Sequence, residues 1–250
     1  DAARYRQHMG KPLYQIPSPV KGYESFGKYY ATKYQEAFNK IGCNPKIIWS
    51  HELYASGQMD EIVRVALDHA EEIRKIYKQV AGYNKPQNWH PYQVICPECG
   101  KVGTTLVTDW DGTWVTYKCD PGLVTWAQGS GHKGKIKPVG ENGKLMWKVD
   151  WPAHWKVLNI TVECAGKDHF SDGGSRDLGV HICRELFKTE PPMGWMHEFF
   201  LVGGKKMSSS KGAGIGADEI TAIIPPQLVR FLIARTNIRR AINFDPGGMT

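Results

Sequence analysis

The sequence predicts an α/β fold, and two observations carry this prediction. In the final hundred residues, strand-like and helix-like segments alternate, which is typical of a parallel sheet with crossover helices. Between 92 and 119, apolar residues recur at every second position and three cysteines occur, which indicates a small β-rich insertion at about 92–136 held together by a metal. We therefore expect a parallel sheet in the later part of the chain, a β-rich insertion before it, and flanking helices.

Two long helices are predicted before residue 92. The first covers 23–41, where aromatic and aliphatic residues recur at helical spacing and Gly42 follows as a stop. The second covers roughly 58–80 on the same grounds. Between them, the apolar run at 45–49 predicts a short buried strand.

A hairpin is predicted in the insertion. Segments 104–108 and 113–117 alternate in polarity and flank Asp111-Gly112, a strong turn signal. The Gly- and Lys-rich stretch 120–146 predicts a loop, and 145–149 predicts one more strand.

Strand-like and helix-like segments alternate in the last part of the chain. This alternation predicts a strand at 158–163, a helix at 175–187, a strand at 198–202 and a helix at 225–236. We find no internal repeat and no low-complexity segment.

Composition narrows the class of protein. The chain has 250 residues, 41% of them hydrophobic, and a net charge of +7, which fits a globular protein with nucleic acid as a plausible partner. No apolar run reaches the roughly 20 residues that span a bilayer, and no signal peptide is visible. We expect a cytoplasmic protein without a membrane partner, whose six cysteines are reduced.

The cysteine spacing predicts a zinc site. Cys96 and Cys99 form a Cys-Pro-x-Cys-Gly knuckle, and Cys119 follows at a ribbon-like distance. The next candidate ligand is His132, so we predict a structural Cys₃His site. The alternative is three unrelated buried thiols.

A run of lysines and serines after the apolar segment 199–202 is the most informative motif. Lysine charge, serine hydroxyls and flanking glycines suit a loop that binds a polyphosphate while negative charge moves onto it. The alternative is a solvated linker. The loop comprises Lys205, Lys206, Met207, Ser208, Ser209, Ser210 and Lys211.

A second polar loop, at 166–170, follows the strand that is predicted to end near Cys164. Asp168 and His169 in this loop can hydrogen-bond to a ribose or an amine, although a structural Asp-His pair is the simpler alternative. Because both loops follow strands of one predicted sheet, we expect them to face a shared crevice.

Several motifs in order resemble those of class I lysyl-tRNA synthetases, a family common in archaea, and the resemblance runs from about residue 10 to 250. Two of them, GKDH and KMSSSKG, resemble class I signatures in general. The motifs are Gly10–Leu13, Cys96–Gly100, Trp147–Pro152, Gly166–His169, Lys206–Gly212 and Asn243–Pro246.

The resemblance implies a Rossmann-like catalytic domain that activates lysine with ATP and Mg²⁺ and transfers it to tRNA(Lys). It implies catalytic roles for Lys206 and Lys211, and ATP binding by 205–211. The substrate-binding residues that it implies are Trp151, Asp168, His169 and His197. In two places the chain departs from the family pattern, with Ser130 where a cysteine is expected and His197 where a tyrosine is expected.

The resemblance also implies a domain plan. We expect a first Rossmann part with a helical connection at 1–91, the zinc-ribbon-like insertion at 92–136, the second Rossmann part at 137–216, and a helical stem-contact region at 217–250. No HIGH-like motif is present in the sequence. We therefore expect an internal fragment without that motif or the anticodon-binding domain, unable to aminoacylate alone.

Three other functions stay open at this point. A zinc-ribbon RNA-binding protein would explain the charge and the cysteines, but not the two ligand loops. A glutamyl-type class I synthetase shares the general layout of those loops. Another nucleotidyltransferase could use a similar phosphate loop, but would not explain the insertion.

Overall fold

The computed structural model describes residues 2–206 and 216–244 and shows mixed α/β structure, as predicted. The α-helices are α1 (Ala2–Tyr5), α2 (Phe26–Lys40), α3 (Ser50–Ala55), α4 (Asp60–Asp68), α5 (Ala70–Ala81), α6 (Trp147–Val157), α7 (Ser175–His181), α8 (Ala217–Ile223) and α9 (Pro226–Arg235). The strands are β1 (Tyr92–Val94), β2 (Thr105–Trp110), β3 (Val115–Cys119), β4 (Lys133–Ile136), β5 (Gly143–Leu145), β6 (Val162–Gly166), β7 (Met193–His197), β8 (Phe200–Val202), β9 (Lys205–Lys206) and β10 (Ile242–Phe244).

The strands form small sheets. β1 pairs with β5, and β6 pairs with β7. β2, β3 and β4 form an antiparallel sheet in that order. β8 lies between β10 and β9; it is parallel to β10 and antiparallel to β9.

The described residues divide into two compact units. The first contains 2–16, 48–162 and 171–193, and the second contains 17–47, 163–170, 194–206 and 216–244. In the part of the chain that the structure describes, no helix combines the length and apolar character needed to cross a membrane. The first unit has an apolar core whose fully buried side chains include Met59, Ile73, Leu145, Val149, Leu178 and Ile182.

Of the two helices predicted before residue 92, the first is confirmed and the second is divided. α2 begins after Ser25, whose hydroxyl accepts a hydrogen bond from the amide of Lys28 at 3.1 Å. The predicted helix at 58–80 is two helices, α4 and α5, which are separated at His69. Because buried residues continue on both sides of the break, the apolar period alone could not reveal it.

Three predictions about strands were wrong. The segment 45–49 forms no strand, and Ile47 and Ile48 are 40% and 47% exposed. The segment 145–149 contains the end of β5 and the start of α6. The predicted loop 120–146 contains β4, which pairs with β3 although its sequence is rich in lysine and glycine.

The later elements are of the predicted type with shifted bounds, but the strands that precede the two polar loops, β6 and β8, lie in different small sheets rather than in one parallel sheet. The strand expected at 158–163 is β6, which begins only at Val162. The helix expected at 175–187 is α7, which continues as a π-helical segment over Ile182–Leu186. The segments 198–202 and 225–236 contain β8 and α9 respectively.

A buried carboxylate links α3, β5 and α6. Asp150 is only 6% exposed. It accepts hydrogen bonds from the Tyr54 hydroxyl at 2.5 Å and from Lys144 Nζ at 3.0 Å. The Tyr54 oxygen in turn accepts the amide of Leu145 at 3.0 Å. Burial, together with the charge of Asp150, raises the pKa of Tyr54 well above its usual value, so this hydroxyl stays a donor.

We predict that Tyr54→Phe destabilises the first unit. The change leaves one Asp150 oxygen and the Leu145 amide without this partner, which costs about 1–3 kcal/mol of unfolding free energy. Urea denaturation measures the loss. Tyr83→Phe is the matched control, because Tyr83 is 47% exposed and should lose little stability. Equal stability of the two variants would contradict the prediction.

Candidate functional site

Two glycines form the turn that leads to Lys205 and Lys206, the first residues of the lysine- and serine-rich loop 205–211. β8 and β9 are joined by Gly203-Gly204, whose φ angles are +54° and +74°. A two-residue hairpin turn with both φ angles positive strongly favours glycine. The amide of Gly204 donates to Asn243 Oδ1 at 2.8 Å, and Lys206 lies opposite Leu201 in the ladder. Pairing with β8 therefore holds the backbone of Lys206, and Asn243 holds the turn before it.

The Lys206 ammonium group contacts two side chains. Its Nζ lies 2.9 Å from Asp168 Oδ2 and 3.6 Å from the ring centroid of Phe199. The side chains of Lys206 and Asp168 are 52% and 60% exposed, so the pair remains open to solvent. The second contact is a cation–π interaction, in which the negative face of the ring attracts the ammonium group.

A second lysine uses the same ring. Lys167 Nζ lies 4.7 Å from the Phe199 centroid and 2.7 Å from Glu198 Oε2. Phe199 thus contacts two ammonium groups, each paired with its own carboxylate. We call Phe199, Lys167, Lys206, Asp168 and Glu198 the Phe199 cluster; its two positive and two negative charges balance.

Strand ends bring this cluster together. The turn Lys167–His169 follows β6 directly, and Glu198 follows its partner strand β7. The structure therefore brings together the two predicted loops, as far as each is described, at the Lys206–Asp168 contact. The role of Phe199 was not predicted, because its position at the start of an apolar run indicates burial rather than contact with lysines.

The other predicted substrate residues lie in different surroundings. His197 Nδ1 lies 3.0 Å from the carbonyl oxygen of Glu198, and both residues line a cavity of about 560 Å³ in the second unit. Trp151 belongs to the first unit, in α6, where it stacks on Trp147 at 5.1 Å between ring centroids and lies 5.2 Å from Trp155.

Part of the predicted phosphate loop is described. Lys205 is exposed in β9, next to Lys206. Met207, Ser208, Ser209, Ser210 and Lys211 lie outside the described residues.

Three cysteines converge in the first unit. The knuckle turns at Gly100, whose φ is +70° and whose amide donates to the Cys96 carbonyl at 2.7 Å. Cys119 ends β3. The sulfur atoms of Cys96, Cys99 and Cys119 all lie within 4.8 Å of one another.

The sulfur geometry fits a zinc ion. Two thiolates on tetrahedral zinc, each at about 2.3 Å from the metal, lie about 3.8 Å apart. The observed distance between Cys99 Sγ and Cys119 Sγ is 3.7 Å. This group can therefore hold zinc.

Burial and neighbouring polar groups shift the pKa values of two of these thiols. The Thr104 hydroxyl lies 3.2 Å from Cys119 Sγ, and the amide of Ser130 donates to the same sulfur at 3.3 Å. Burial alone would raise the pKa of Cys119, but these hydrogen bonds outweigh it and lower the pKa. Burial raises the pKa of Cys99.

The predicted fourth ligand, His132, does not join this group. Its Nδ1 lies 3.0 Å from the hydroxyl oxygen of Tyr117. Among residues 2–206 and 216–244, the cluster of possible metal ligands consists of the three cysteines without His132. The Cys₃ part of the prediction is therefore supported by geometry, whereas the histidine is not.

Comparison with known proteins decides the family. The family model described as tRNA synthetases class I (K) matches residues 1–250. The chain belongs to this class I tRNA synthetase family. The family membership covers the insertion and both predicted loops, which a separate zinc-ribbon RNA-binding protein would not explain.

Curated members of the family include close relatives of this synthetase chain. It is 37% identical over 246 residues to lysine–tRNA ligase 1 of Methanosarcina acetivorans, covering 97% of this chain and 44% of that protein. It is 39% identical over 246 residues to the lysine–tRNA ligase of Methanosarcina barkeri, with coverage of 97% and 44%. The lysine–tRNA ligase of Archaeoglobus fulgidus is 36% identical over 244 residues, with coverage of 97% and 48%. The chain thus spans about half the length of these relatives.

We predict that Phe199→Leu exposes the Lys206 amine in this synthetase chain. Loss of the ring removes the cation–π contact, so acetylation of Lys206, followed by mass spectrometry, should accelerate about two- to fivefold. Phe231→Leu is the control, because Phe231 is exposed and contacts Arg235 rather than Lys206. If Phe199→Leu leaves the labelling rate of Lys206 unchanged, the ring does not hold the lysine.

Proposed function

We propose that the protein is a lysine–tRNA ligase. Lysine would react with ATP to form lysyl-adenylate and pyrophosphate, and the lysyl group would then pass to tRNA(Lys) with release of AMP. The observation that carries this proposal is the identity of 36–39% to archaeal lysine–tRNA ligases across 97% of the chain. These relatives favour lysine over glutamate as the amino acid and make a different nucleotidyltransferase the weaker alternative.

The first step places specific demands on Lys206. When pyrophosphate leaves the α-phosphorus, negative charge grows on the departing oxygens, and a positioned ammonium group stabilises it. The hairpin supports this role, because two glycines and Asn243 fix the turn that leads to Lys206, and Lys206 itself pairs with Leu201. Lys211, Ser208, Ser209 and Ser210 would complete the phosphate site, and ATP would bring Mg²⁺ as its counter-ion.

Asp168 would exchange partners during this step. Its carboxylate lies 2.9 Å from the ammonium group that we assign to the phosphates. A carboxylate so close to a phosphate would repel it. We therefore propose that Lys206 leaves Asp168 when ATP binds, which frees Asp168 to accept a hydrogen bond from ribose or from the lysine substrate.

The remaining substrate roles follow residue chemistry. His197 lines the cavity beside Glu198, which supports a place near the substrate. His169 follows Asp168 in the turn after β6 and would bind the same ligand. Trp151 would contact the methylene chain or the ammonium group of lysine.

We also propose the finer architecture. The parallel pairing of β8 with β10 supports a Rossmann-like catalytic sheet, and the antiparallel sheet of β2, β3 and β4 beside the cysteines supports a zinc-ribbon-like insertion. The segments 1–91, 92–136, 137–216 and 217–250 remain our proposed domain plan, and a cytoplasmic location fits a translation enzyme.

We predict that Lys206→Ala slows lysine-dependent ATP–pyrophosphate exchange by about 10²- to 10³-fold, because the variant lacks the charge that meets the leaving group. Lysine binding, measured by calorimetry on the intact protein, should change little. Lys40→Ala on the exposed end of α2 is the control and should keep the wild-type rate.

Comparing the loss of exchange rate with the loss of lysine binding tests whether Lys206 acts on the leaving pyrophosphate. Loss of lysine binding in Lys206→Ala in proportion to the rate would show that Lys206 serves the amino acid instead. An unchanged exchange rate would remove Lys206 from the phosphate site.

We further propose that Cys96, Cys99 and Cys119 hold one structural zinc ion. When bound, zinc would supply a cross-link between the knuckle and the end of β3. Elemental analysis should find about one zinc per chain. Cys99→Ser should lose most of the metal and lower the melting temperature, whereas Cys164→Ser should lose neither, because Cys164 lies outside the cluster. A folded wild-type protein without zinc would refute the site.

A further inference from the structure

We propose that Ser130 supplies the fourth contact of the zinc site through its hydroxyl oxygen, and that His132 stays outside the coordination sphere. The inference rests on the proposed zinc site, but not on the proposed ligase activity. It assigns a Cys₃Ser donor set to this chain in place of the Cys₃His set that the sequence predicts.

The distance from the hydroxyl to the nearest thiol carries the argument. An oxygen at about 2.0 Å and a sulfur at about 2.3 Å from tetrahedral zinc lie about 3.5 Å apart. The observed distance between Ser130 Oγ and Cys96 Sγ is 3.5 Å. Together with the 3.7 Å between Cys99 Sγ and Cys119 Sγ, this gives two edges of a zinc tetrahedron of three sulfurs and one oxygen.

The backbone holds Ser130 in this position. The amide of Ser130 donates to Cys119 Sγ at 3.3 Å, and the amide of Gly131 donates to the Cys119 carbonyl at 2.9 Å. A Cβ atom at Gly129 would lie 2.5 Å from the Asp120 carbonyl oxygen, so only glycine allows this close approach. These contacts hold the segment 129–131 against the end of β3, so that Ser130 lies beside Cys96 and Cys119.

His132 has a different partner. Its Nδ1 is engaged with the Tyr117 hydroxyl at 3.0 Å, and its backbone amide donates to Ser130 Oγ at 3.3 Å. Through this amide, His132 helps to orient the serine oxygen without offering its ring to the metal. The imidazole would have to give up the Tyr117 contact or turn to reach the cluster.

The donor set has a consequence for metal retention. A serine oxygen is a harder and weaker ligand for zinc than a thiolate. Ser130 is exposed, so water and chelators can reach this corner of the site. The site should therefore release zinc faster than a four-thiolate site would.

Cobalt substitution in the intact protein tests the proposal, because the visible spectrum of Co²⁺ reports its ligands. Ser130→Ala should alter the d–d bands of bound Co²⁺, whereas His132→Gln should leave them unchanged. Ser130→Cys should raise the thiolate-to-cobalt charge-transfer intensity by about a third, since four thiolates replace three. The same variant should hold zinc at least about tenfold more tightly in a chelator competition.

Two results would overturn the proposal. If His132→Gln shifts the cobalt spectrum and Ser130→Ala does not, histidine is the fourth ligand. If Ser130→Cys changes neither the charge-transfer intensity nor the affinity, position 130 lies away from the metal. A wild-type protein that binds neither Co²⁺ nor Zn²⁺ would overturn the whole site. None of these measurements depends on aminoacylation, so they test the zinc ligands independently of the proposed ligase activity.

Discussion

The ring of Phe199 contacts two ammonium groups, and the candidate phosphate site depends on this arrangement. Lys206 comes from the β8–β9 hairpin and Lys167 from the turn after β6, and the ring brings both to one place. Asp168 and Glu198 balance their charge. The cluster is thus electrically neutral, and its Lys206–Asp168 pair is open to solvent. In our proposal, a phosphate group of ATP, which carries more negative charge than one carboxylate, takes Lys206 from Asp168.

The candidate zinc site and the candidate phosphate loop are built in the same way. In each, glycines with positive φ or no room for a side chain set the backbone, and the reactive side chains follow. Gly203 and Gly204 place Lys206, while Gly100 and Gly129 place Cys99 and Ser130. The chemistry therefore depends on backbone geometry as much as on the residues that carry it.

Local signals predicted much of this structure from the sequence. The Asp111-Gly112 turn, the Cys96–Cys99 spacing and the helical spacing in α2 each act over a few residues, and the turn, the approach of the cysteines and the helix are all found in the structure. Predictions failed where distant partners decide: β4 is a strand because β3 pairs with it, despite its lysines. The contacts of Phe199 with Lys167 and of Ser130 with Cys96 were missed for the same reason, since each joins residues more than 30 positions apart.

The most direct test of the proposed function is the amino acid dependence of ATP–pyrophosphate exchange by the full-length protein, rather than by these 250 residues alone. Exchange should occur with lysine and stay at background with each of the other amino acids, glutamate included. Exchange with a different amino acid would contradict the assignment to lysine. Background rates with all amino acids would contradict a ligase function for the protein.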